Sequence, residues 1–244
     1  MKKIFTTSEK IEYIIKSFNL TKTLFVSSII IGDPHTGKKT LAKYIFPDTL
    51  LVSGKDQEAV RVALEHHDEL IISDFEKLSN PSSLNFDNKR VIAIANYVGN
   101  VTLIDDLFAF IYTMPSLKER PEDVVQLSAL FVKEACDTLM IDSKNINMQT
   151  LPLDISMNAK SLKKSIYLDI VKLSMGEKEI KEVTYSYLLK SLNGNDAYRQ
   201  YLGLYEKPLI EAGLKKYGSQ LQLSQVLGIN RNTLRKKIHE HHIN

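Results

Sequence analysis

A glycine-rich segment between a predicted strand and a predicted helix limits the fold of this chain more than any other feature. The apolar run at 27–31 is followed directly by Gly32-Asp33-Pro34-His35-Thr36-Gly37-Lys38-Lys39-Thr40. The spacing Gly-x-x-x-x-Gly-Lys is typical of a phosphate-binding loop, because the glycines let backbone N–H groups converge on phosphate oxygens and the lysine reaches the terminal phosphates. The segment predicts an α/β domain with a nucleotide-binding P-loop. A glycine-rich turn that arose by chance is the alternative.

Four later apolar runs predict the other strands of this domain. They lie at 50–53, 70–73, 91–95 and 108–112, and helical patterns occur at 8–18, 38–45 and 56–66. The runs are rich in Ile, Val and Leu without polar alternation, as expected of strands that are covered on both faces. We predict a parallel five-stranded sheet in a three-layer α/β domain over residues 1–115.

The next part of the chain has a helical pattern. Pro121, Glu122 and Asp123 favour a helix start, because proline suits the first helical position and acids favour the positive end of the helix dipole. Apolar residues then recur at helical spacing through 121–139, and 161–173 is a second candidate helix. We predict a helical lid over 116–175, then a linker over 176–197 with one helix around 186–192.

An aspartate at the end of the third apolar run is a candidate metal ligand. In P-loop proteins, Mg²⁺ is held by such a carboxylate and by a Ser or Thr after the loop lysine. Asp74 fits the first role, but Lys39 occupies the second position, and Thr40 lies about 100° further round the helix. Phe75 stands where a hydrolytic enzyme would have a glutamate, and Glu76 is expected to point away on an extended strand. We expect nucleotide binding with little or no hydrolysis; an aspartate that only caps a loop is the alternative.

The charge of the chain is distributed unevenly. The formal net charge is +3, yet residues 198–244 contain eight Lys or Arg and three Asp or Glu. The other 197 residues contain 24 basic and 26 acidic side chains. This asymmetry indicates a nucleic-acid-binding tail on a neutral body, or else a solvated charged face.

Residues 198–244 have the pattern of a helix-turn-helix domain. Helices are predicted at 206–217, with Pro208 near the start, and at 220–227 and 231–239. Gly228-Ile229-Asn230 separates the last two, and Asn230 suits an N-cap. This arrangement places a helix in the major groove of DNA. A plain helical hairpin is the alternative. The candidate DNA-binding residues are Arg231, Asn232, Thr233, Arg235, Lys236 and Lys237.

The cysteine and histidine content limits other chemistry. The single Cys136 excludes an internal disulfide framework and a cysteine-rich zinc site. His239, His241 and His242 lack a carboxylate or thiolate complement, so we expect them to be solvated or to face phosphate. No apolar stretch is long enough to cross a membrane, and we expect a cytoplasmic protein without a membrane partner.

Residues 221–238 closely resemble the Fis-type helix-turn-helix that ends bacterial enhancer-binding proteins of the NtrC class, the AAA+ activators of sigma-54 RNA polymerase. The body is similar to the same class: the P-loop resembles its Walker A motif, 91–96 its sensor I strand, and 114–124 the "PPLRER-x-EDI" signature before its lid. The resemblance implies that Asn96 senses the nucleotide and that Lys160 replaces the sensor II arginine. It also implies a homodimer formed through the C-terminal domain.

The chain departs from this class at several places. The segment with the "GAFTGA" loop, which contacts the sigma factor, is absent, and no arginine occurs between Arg90 and Arg120, where arginine fingers are expected. His35 replaces a glycine of the class's loop, and Lys39 replaces a glutamate. The resemblance therefore implies a degenerate AAA+ domain.

The leading hypothesis is a DNA-binding transcriptional regulator whose degenerate AAA+ domain binds ATP or ADP, with or without Mg²⁺ on Asp74. Its expected partners are double-stranded DNA, a second copy of the chain, and RNA polymerase or another regulator. The alternatives are an active ATPase of the sigma-54 activator class, an ATP-switched oligomeric motor, and a partner-binding module with a vestigial P-loop. The predicted nucleotide-binding residues are Gly32, Asp33, Pro34, His35, Thr36, Gly37, Lys38, Lys39, Thr40, Asp74, Asn96 and Lys160.

Overall fold

The computed structural model describes residues 6–142, 144 and 146–243. The chain forms two compact units, of which the first ends at Ser174 and the second begins at Met175. The first unit contains a parallel sheet and a helical subdomain, and the second is helical.

The first unit is built on five parallel strands in the order β2-β3-β4-β1-β5. This confirms the predicted parallel five-stranded sheet. The last strand begins two residues later than expected, because Phe108 ends the preceding helix, with its N–H bonded to the carbonyl of Ile104 at 3.0 Å. The strands are β1 Ser28–Ile31, β2 Leu50–Ser53, β3 Glu69–Ser73, β4 Arg90–Ala95 and β5 Phe110–Thr113.

Helices cover both faces of the sheet. Successive strand residues point to opposite faces, so the fully apolar strands supply two cores. On one face α1 (Glu9–Thr21) and α2 (Lys38–Ile45) pack on strand residues that include Ile30, Ile71 and Ile92. On the other face α3 (Gln57–His66) and α4 (Val101–Leu107) pack on a second set that includes Ile29 and Ile72. The result is the predicted three-layer α/β domain.

The helical subdomain of the first unit consists mainly of α5 (Pro121–Leu139) and α6 (Ala159–Ser174). Their facing sides share a core that includes Val132, Leu162 and Ile166. Cys136 lies in this core, where burial raises the pKa of its thiol. The sequence predicted both helices, and α5 has the predicted bounds.

The first helix of the second unit begins earlier, and is longer, than the sequence predicted. Where a linker with one short helix around 186–192 was expected, α7 spans Glu177–Ser191. The next helix, α8, spans Ala197–Tyr217 and has Pro208 in its interior rather than near its start. Proline removes one helical hydrogen bond, at a cost of about 3 kcal/mol. Before Pro208, Glu206 bonds Lys237 and His241, and after it Ile210 lies in the core shared with the last two helices; we attribute the continuous helix to these contacts.

The last two helices are α9 (Gln220–Leu227) and α10 (Arg231–Glu240), close to the predicted ranges. Ile210, Leu223 and Leu234, one from each of α8, α9 and α10, form a small buried core. Gly213 allows α8 to approach α9, because a Cβ at this position would lie 2.3 Å from Cδ1 of Leu223.

Gly32 allows the chain to leave β1 close to the end of β5. Its φ angle is +154°, and a Cβ here would lie 2.5 Å from the backbone oxygen of Met114. The Met114 N–H in turn donates to the Ile31 carbonyl at 2.7 Å. The Met114 oxygen cannot move away from Gly32 without also breaking the hydrogen bond from the Met114 N–H to the Ile31 carbonyl.

We predict that Gly32→Ala lowers the free energy of unfolding by about 2 kcal/mol or more, because it combines a strained φ with a backbone clash. Urea unfolding followed by circular dichroism measures the change. Gly99→Ala is the matched control, because a Cβ there meets no atom within 4 Å. Equal stability of the two variants would contradict the prediction.

Candidate functional site

A cavity of about 620 Å³ lies at the carboxyl ends of β1, β3 and β4. The structure brings ten of the twelve predicted nucleotide-site residues to its lining: Pro34, His35, Thr36, Gly37, Lys38, Lys39, Thr40, Asp74, Asn96 and Lys160. The other two, Gly32 and Asp33, contribute their carbonyl oxygens to the lysine of the loop. Because α2 begins at this cavity, the N–H groups of its first turn are placed to bind an anion there.

Lys38 is the central cation of the loop. Its side chain is buried, and its ammonium donates to the carbonyls of Gly32 and Asp33 and to Oδ1 of Asn96, at 3.1 Å for the last. Burial lowers the pKa of Lys38 to about 8. The ammonium therefore carries its charge at neutral pH. The nearby carboxylates of Glu76, Asp33 and Asp74 oppose the effect of burial on the pKa only in part.

Asn96 connects Lys38 to Glu76, which the sequence analysis did not assign to this site. Its side-chain N–H donates to Oε1 of Glu76 at 2.7 Å, and its backbone N–H donates to Oε2 at 3.3 Å. The prediction that Glu76 continues an extended strand, pointing the opposite way from Phe75, was wrong about the strand, because β3 ends at Ser73. Asp74 has a left-handed φ of 54° and starts a 3₁₀ turn over Phe75–Lys77, which returns Glu76 toward β4.

Lys39 and Asp74 form an ion pair at the edge of the cavity. The ammonium of Lys39 lies 3.4 Å from Oδ2 of Asp74. The same carboxylate oxygen accepts a hydrogen bond from the Ser73 hydroxyl at 3.4 Å. Lys39 thus uses the carboxylate that the sequence assigned to Mg²⁺.

The helical subdomain is hydrogen-bonded to the P-loop through Asn158. Its side chain donates to the Pro34 carbonyl at 3.1 Å and accepts from the Leu117 N–H at 2.8 Å. The next residue, Ala159, donates its N–H to the His35 carbonyl at 3.2 Å. His35 adopts φ 63°, a left-handed conformation that favours glycine.

A buried ion pair makes a second connection to the loop. Arg120 is 5% exposed and Asp123 is fully buried, and they lie 3.0 Å apart. Arg120 also donates to the carbonyl of Thr36, while Asp123 accepts from Thr6 and from the Thr7 N–H, both at 2.9 Å. One charged pair therefore joins the loop, the start of α5 and the segment before α1.

Two residues that line the cavity were not predicted from the sequence. Lys163 lies one helical turn after Lys160, and Phe131 lines the cavity from α5. The Lys163 ammonium bonds Oε1 of Glu134 at 2.6 Å, and this bond raises its pKa. Lys163 also lies 5.7 Å from the centre of the Phe131 ring. The i, i+3 spacing of Lys160 and Lys163 was the available signal, since such residues share a helix face.

A second candidate site is the exposed face of α10. Asn230 caps this helix by accepting the Asn232 N–H at 2.8 Å, and Leu234 fixes it to the core. All but one of the predicted DNA-binding side chains are exposed: Arg231, Asn232, Thr233, Arg235 and Lys236.

Lys237 differs from these residues because it faces α8. Its ammonium bonds Oε1 of Glu206, and Nε2 of His241 lies 3.1 Å from Oε2 of the same carboxylate. His241 is therefore neither solvated nor free to face phosphate, as the sequence had suggested, since its side chain is 18% exposed. The bonds from Lys237 and His241 lower the pKa of Glu206. Glu206 therefore fixes the orientation of α10 from the side that faces α8.

A family model described as "Bacterial regulatory protein, Fis family" matches residues 202–241. These residues include most of α8 and all of α9 and α10. The C-terminal module is a Fis-family helix-turn-helix. A search of curated protein sequences gave no match to the chain.

Solved structures match nearly the whole chain. NtrX from Brucella abortus in complex with ATP aligns at 15% identity over 99% of this chain and 70% of that chain, with a TM-score of 0.57. NtrX from the same organism in complex with ADP gives the same values. DnaA from Aquifex aeolicus bound to AMPPCP aligns more weakly, at 13% identity over 97% and 89% of the two chains, with a TM-score of 0.45. The first unit has the AAA+ fold, and the chain joins it to the Fis-family module.

Among the described residues, none of the helices combines the length and apolar character needed to cross a bilayer.

We predict that Glu206→Gln lowers the free energy of unfolding by about 1–2 kcal/mol at pH 7, because it weakens two charge-assisted hydrogen bonds. Since folding lowers the pKa of Glu206, its contribution is complete above the unfolded-state pKa and disappears as the pH falls through the folded-state pKa. The difference between variant and wild type should therefore shrink below about pH 4. Urea unfolding at a series of pH values measures it.

Glu211→Gln is the matched control for this prediction. Glu211 lies on the same helix, and its partner, the Lys207 ammonium, is 3.9 Å away at the surface. Such exposed pairs contribute about 0.5 kcal/mol or less. A loss in Glu206→Gln that is the same at pH 3 and pH 7 would contradict the role of the Glu206 charge.

Proposed function

We propose that this chain is a sequence-specific, DNA-binding transcriptional regulator of the cytoplasm whose AAA+ domain binds ATP or ADP. The observation that carries the proposal is the exposed face of α10, which presents two arginines, a lysine and an asparagine on a capped helix of a Fis-family module. Arginine and asparagine read base edges in the major groove, and lysine contacts phosphates.

The AAA+ domain supports a regulatory role more than a motor role. The sequence lacks the "GAFTGA" loop by which the NtrC class contacts sigma-54 RNA polymerase, and the 108–110 segment is Phe-Ala-Phe where arginine fingers are expected. A ring ATPase needs such a charge from its neighbour to stabilise the transition state. We propose that the domain is degenerate, and that contact with RNA polymerase, or with another regulator, uses a different surface.

Nucleotide binding is supported by the chemistry of the cavity. Four lysines line it: Lys38, Lys39, Lys160 and Lys163. The Phe131 ring supplies a flat apolar surface on which a base can stack. NtrX, which shares the fold, has been solved with ATP and with ADP. We propose that ATP or ADP binds here, with Asn96 relaying contacts between Lys38 and Glu76.

An active ATPase of the sigma-54 activator class is the second candidate function. The observation that favours it is the return of Glu76 to Asn96, because a carboxylate near the terminal phosphate is the group that would activate water. It stands second because the charge needed in trans has no counterpart in the 91–119 segment.

Dimerisation is supported by an open apolar groove between α7 and α8. Ile180, Thr184 and Leu188 form one row, and Tyr201 and Tyr205 belong to the opposite one. The exposed fractions are 54% for Ile180 and 68% for Tyr205, so large apolar surfaces remain uncovered. We propose that a second copy covers this groove, which would place two α10 helices on half-sites about one DNA turn apart.

We predict that Arg235→Ala and Lys236→Ala each weaken binding to a specific duplex by about tenfold and lower the salt slope of log K by about 1. Genome-wide mapping of bound DNA would first supply the duplex, and fluorescence anisotropy at several salt concentrations measures the effect. Lys190→Ala, an exposed lysine on α7, is the matched control. Unchanged, salt-sensitive binding by both variants would refute the DNA-reading role of α10.

We predict that Tyr205→Asp converts a dimer into a monomer, because a carboxylate in an apolar interface is costly to desolvate. Sedimentation equilibrium measures the mass. Tyr185→Asp is the matched control: Tyr185 is 66% exposed on α7 but lies outside the groove lining. Dissociation by both variants, or by neither, would argue against this interface.

We predict that Lys38→Ala reduces ATP and ADP binding by at least about tenfold, because it removes a charge that contacts the terminal phosphates. Calorimetric titration measures binding, and phosphate release from ATP at high protein concentration is measured in parallel with and without DNA. Turnover that both Lys38→Ala and Asp74→Ala abolish would favour the ATPase. Absence of any binding by the wild type would favour a vestigial P-loop.

A further inference from the structure

Lys39 occupies the position that decides how a P-loop handles its metal. It lies in the first turn of α2, directly after Lys38, and its ammonium is 3.4 Å from Oδ2 of Asp74. Many P-loops have a Ser or Thr hydroxyl at this position, which holds Mg²⁺ together with the strand-end carboxylate, whereas the NtrC class that the chain resembles has a glutamate there. This chain has a cation in place of either oxygen-bearing side chain, and that cation is directed at the carboxylate.

The residues present therefore do not fit a resident Mg²⁺. Of the two expected ligands, one is replaced by an ammonium group, which has no lone pair to offer a metal. The other, Asp74, is paired with that ammonium and with the Ser73 hydroxyl. A divalent ion on Asp74 would sit against the Lys39 charge and would be repelled by it.

Lys39 has the reach and the exposure to act on a ligand in the metal's place. Its side chain is 55% exposed, whereas that of Asp74 is 22% exposed, so the lysine can move while the carboxylate stays at the end of β3. Both residues line the cavity with Lys38, Lys160 and Lys163. A metal-free polyphosphate is more negative than its Mg²⁺ complex and matches this set of cations better.

We propose that Lys39 is a built-in counter-cation, so that the site selects metal-free nucleoside di- or triphosphates over their Mg²⁺ complexes. This inference rests on the proposed nucleotide binding and specifies the form of the ligand. Asp74 holds the Lys39 ammonium beside the phosphates instead of ligating a metal. Lys38 retains the ordinary role of the loop lysine.

The test is a calorimetric titration of the full chain with ATP and with ADP, in EDTA and in excess Mg²⁺, at matched ionic strength. We expect wild-type affinity to be higher in EDTA than in Mg²⁺. Lys39→Ser should lose about tenfold in EDTA, because one charged contact is gone, and should regain affinity with Mg²⁺, because a hydroxyl and an unpaired Asp74 become available. Lys39→Ala should lose affinity in EDTA without that Mg²⁺ rescue.

Two further measurements keep the outcomes separate. Lys133→Ala removes the same charge from an exposed position on α5, outside the cavity lining, and should bind like the wild type in both buffers. Urea unfolding verifies that the Lys39 variants are folded. Wild-type affinity in Mg²⁺ that equals or exceeds the affinity in EDTA, or full affinity of Lys39→Ser in EDTA, would overturn the inference while leaving nucleotide binding intact. Wild type without binding in either buffer would overturn both proposals.

Discussion

The buried ion pair of Arg120 and Asp123 joins the start of α5 to the P-loop and to the segment before α1. Two opposite charges withdrawn from water are tolerated only when hydrogen bonds satisfy them, and removing one partner from such a pair costs about 3–5 kcal/mol. Here the bonds come from two separate parts of the chain: Thr36 of the P-loop, and Thr6 and Thr7 ahead of α1. The pair therefore fixes where α5 begins relative to the sheet, and with it one wall of the cavity.

The cavity has a second fixed wall because Asn158 bonds to the loop as well. The carbonyls of Pro34 and His35 accept hydrogen bonds from Asn158 and Ala159, at the start of α6. The same helix brings Lys160 to the cavity. Loop and helical subdomain are thus one hydrogen-bonded assembly. A nucleotide bound as proposed would act on a loop that the helical subdomain already holds. These bonds would then couple the nucleotide to the position of that subdomain.

Sequence patterns predicted the sheet and the Fis-family module well, because both depend on local signals. Strands covered on two faces are continuously apolar, and the turn before α10 has its glycine and its asparagine cap. The patterns failed where tertiary contacts decide. Pro208 predicted a helix start, but contacts with α9 and α10 on both sides of Pro208 stabilise a continuous α8. Glu76 was assigned to an extended strand, and only the left-handed Asp74 reveals the turn that redirects it. Pairings such as Lys39 with Asp74 join residues far apart in sequence, which periodicity does not report.

The bond from Lys237 to Glu206 has a consequence for genetics. A residue of α10 with a basic side chain looks like a base or phosphate contact in any sequence comparison, yet this one is anchored to α8. For the proposed regulator, a screen for loss of function would also recover changes at Glu206, which lies on α8 and not on the exposed side of α10. Changes at Lys237 or His241 would act in the same way, by loosening α10 from α8 and not by removing a contact with DNA.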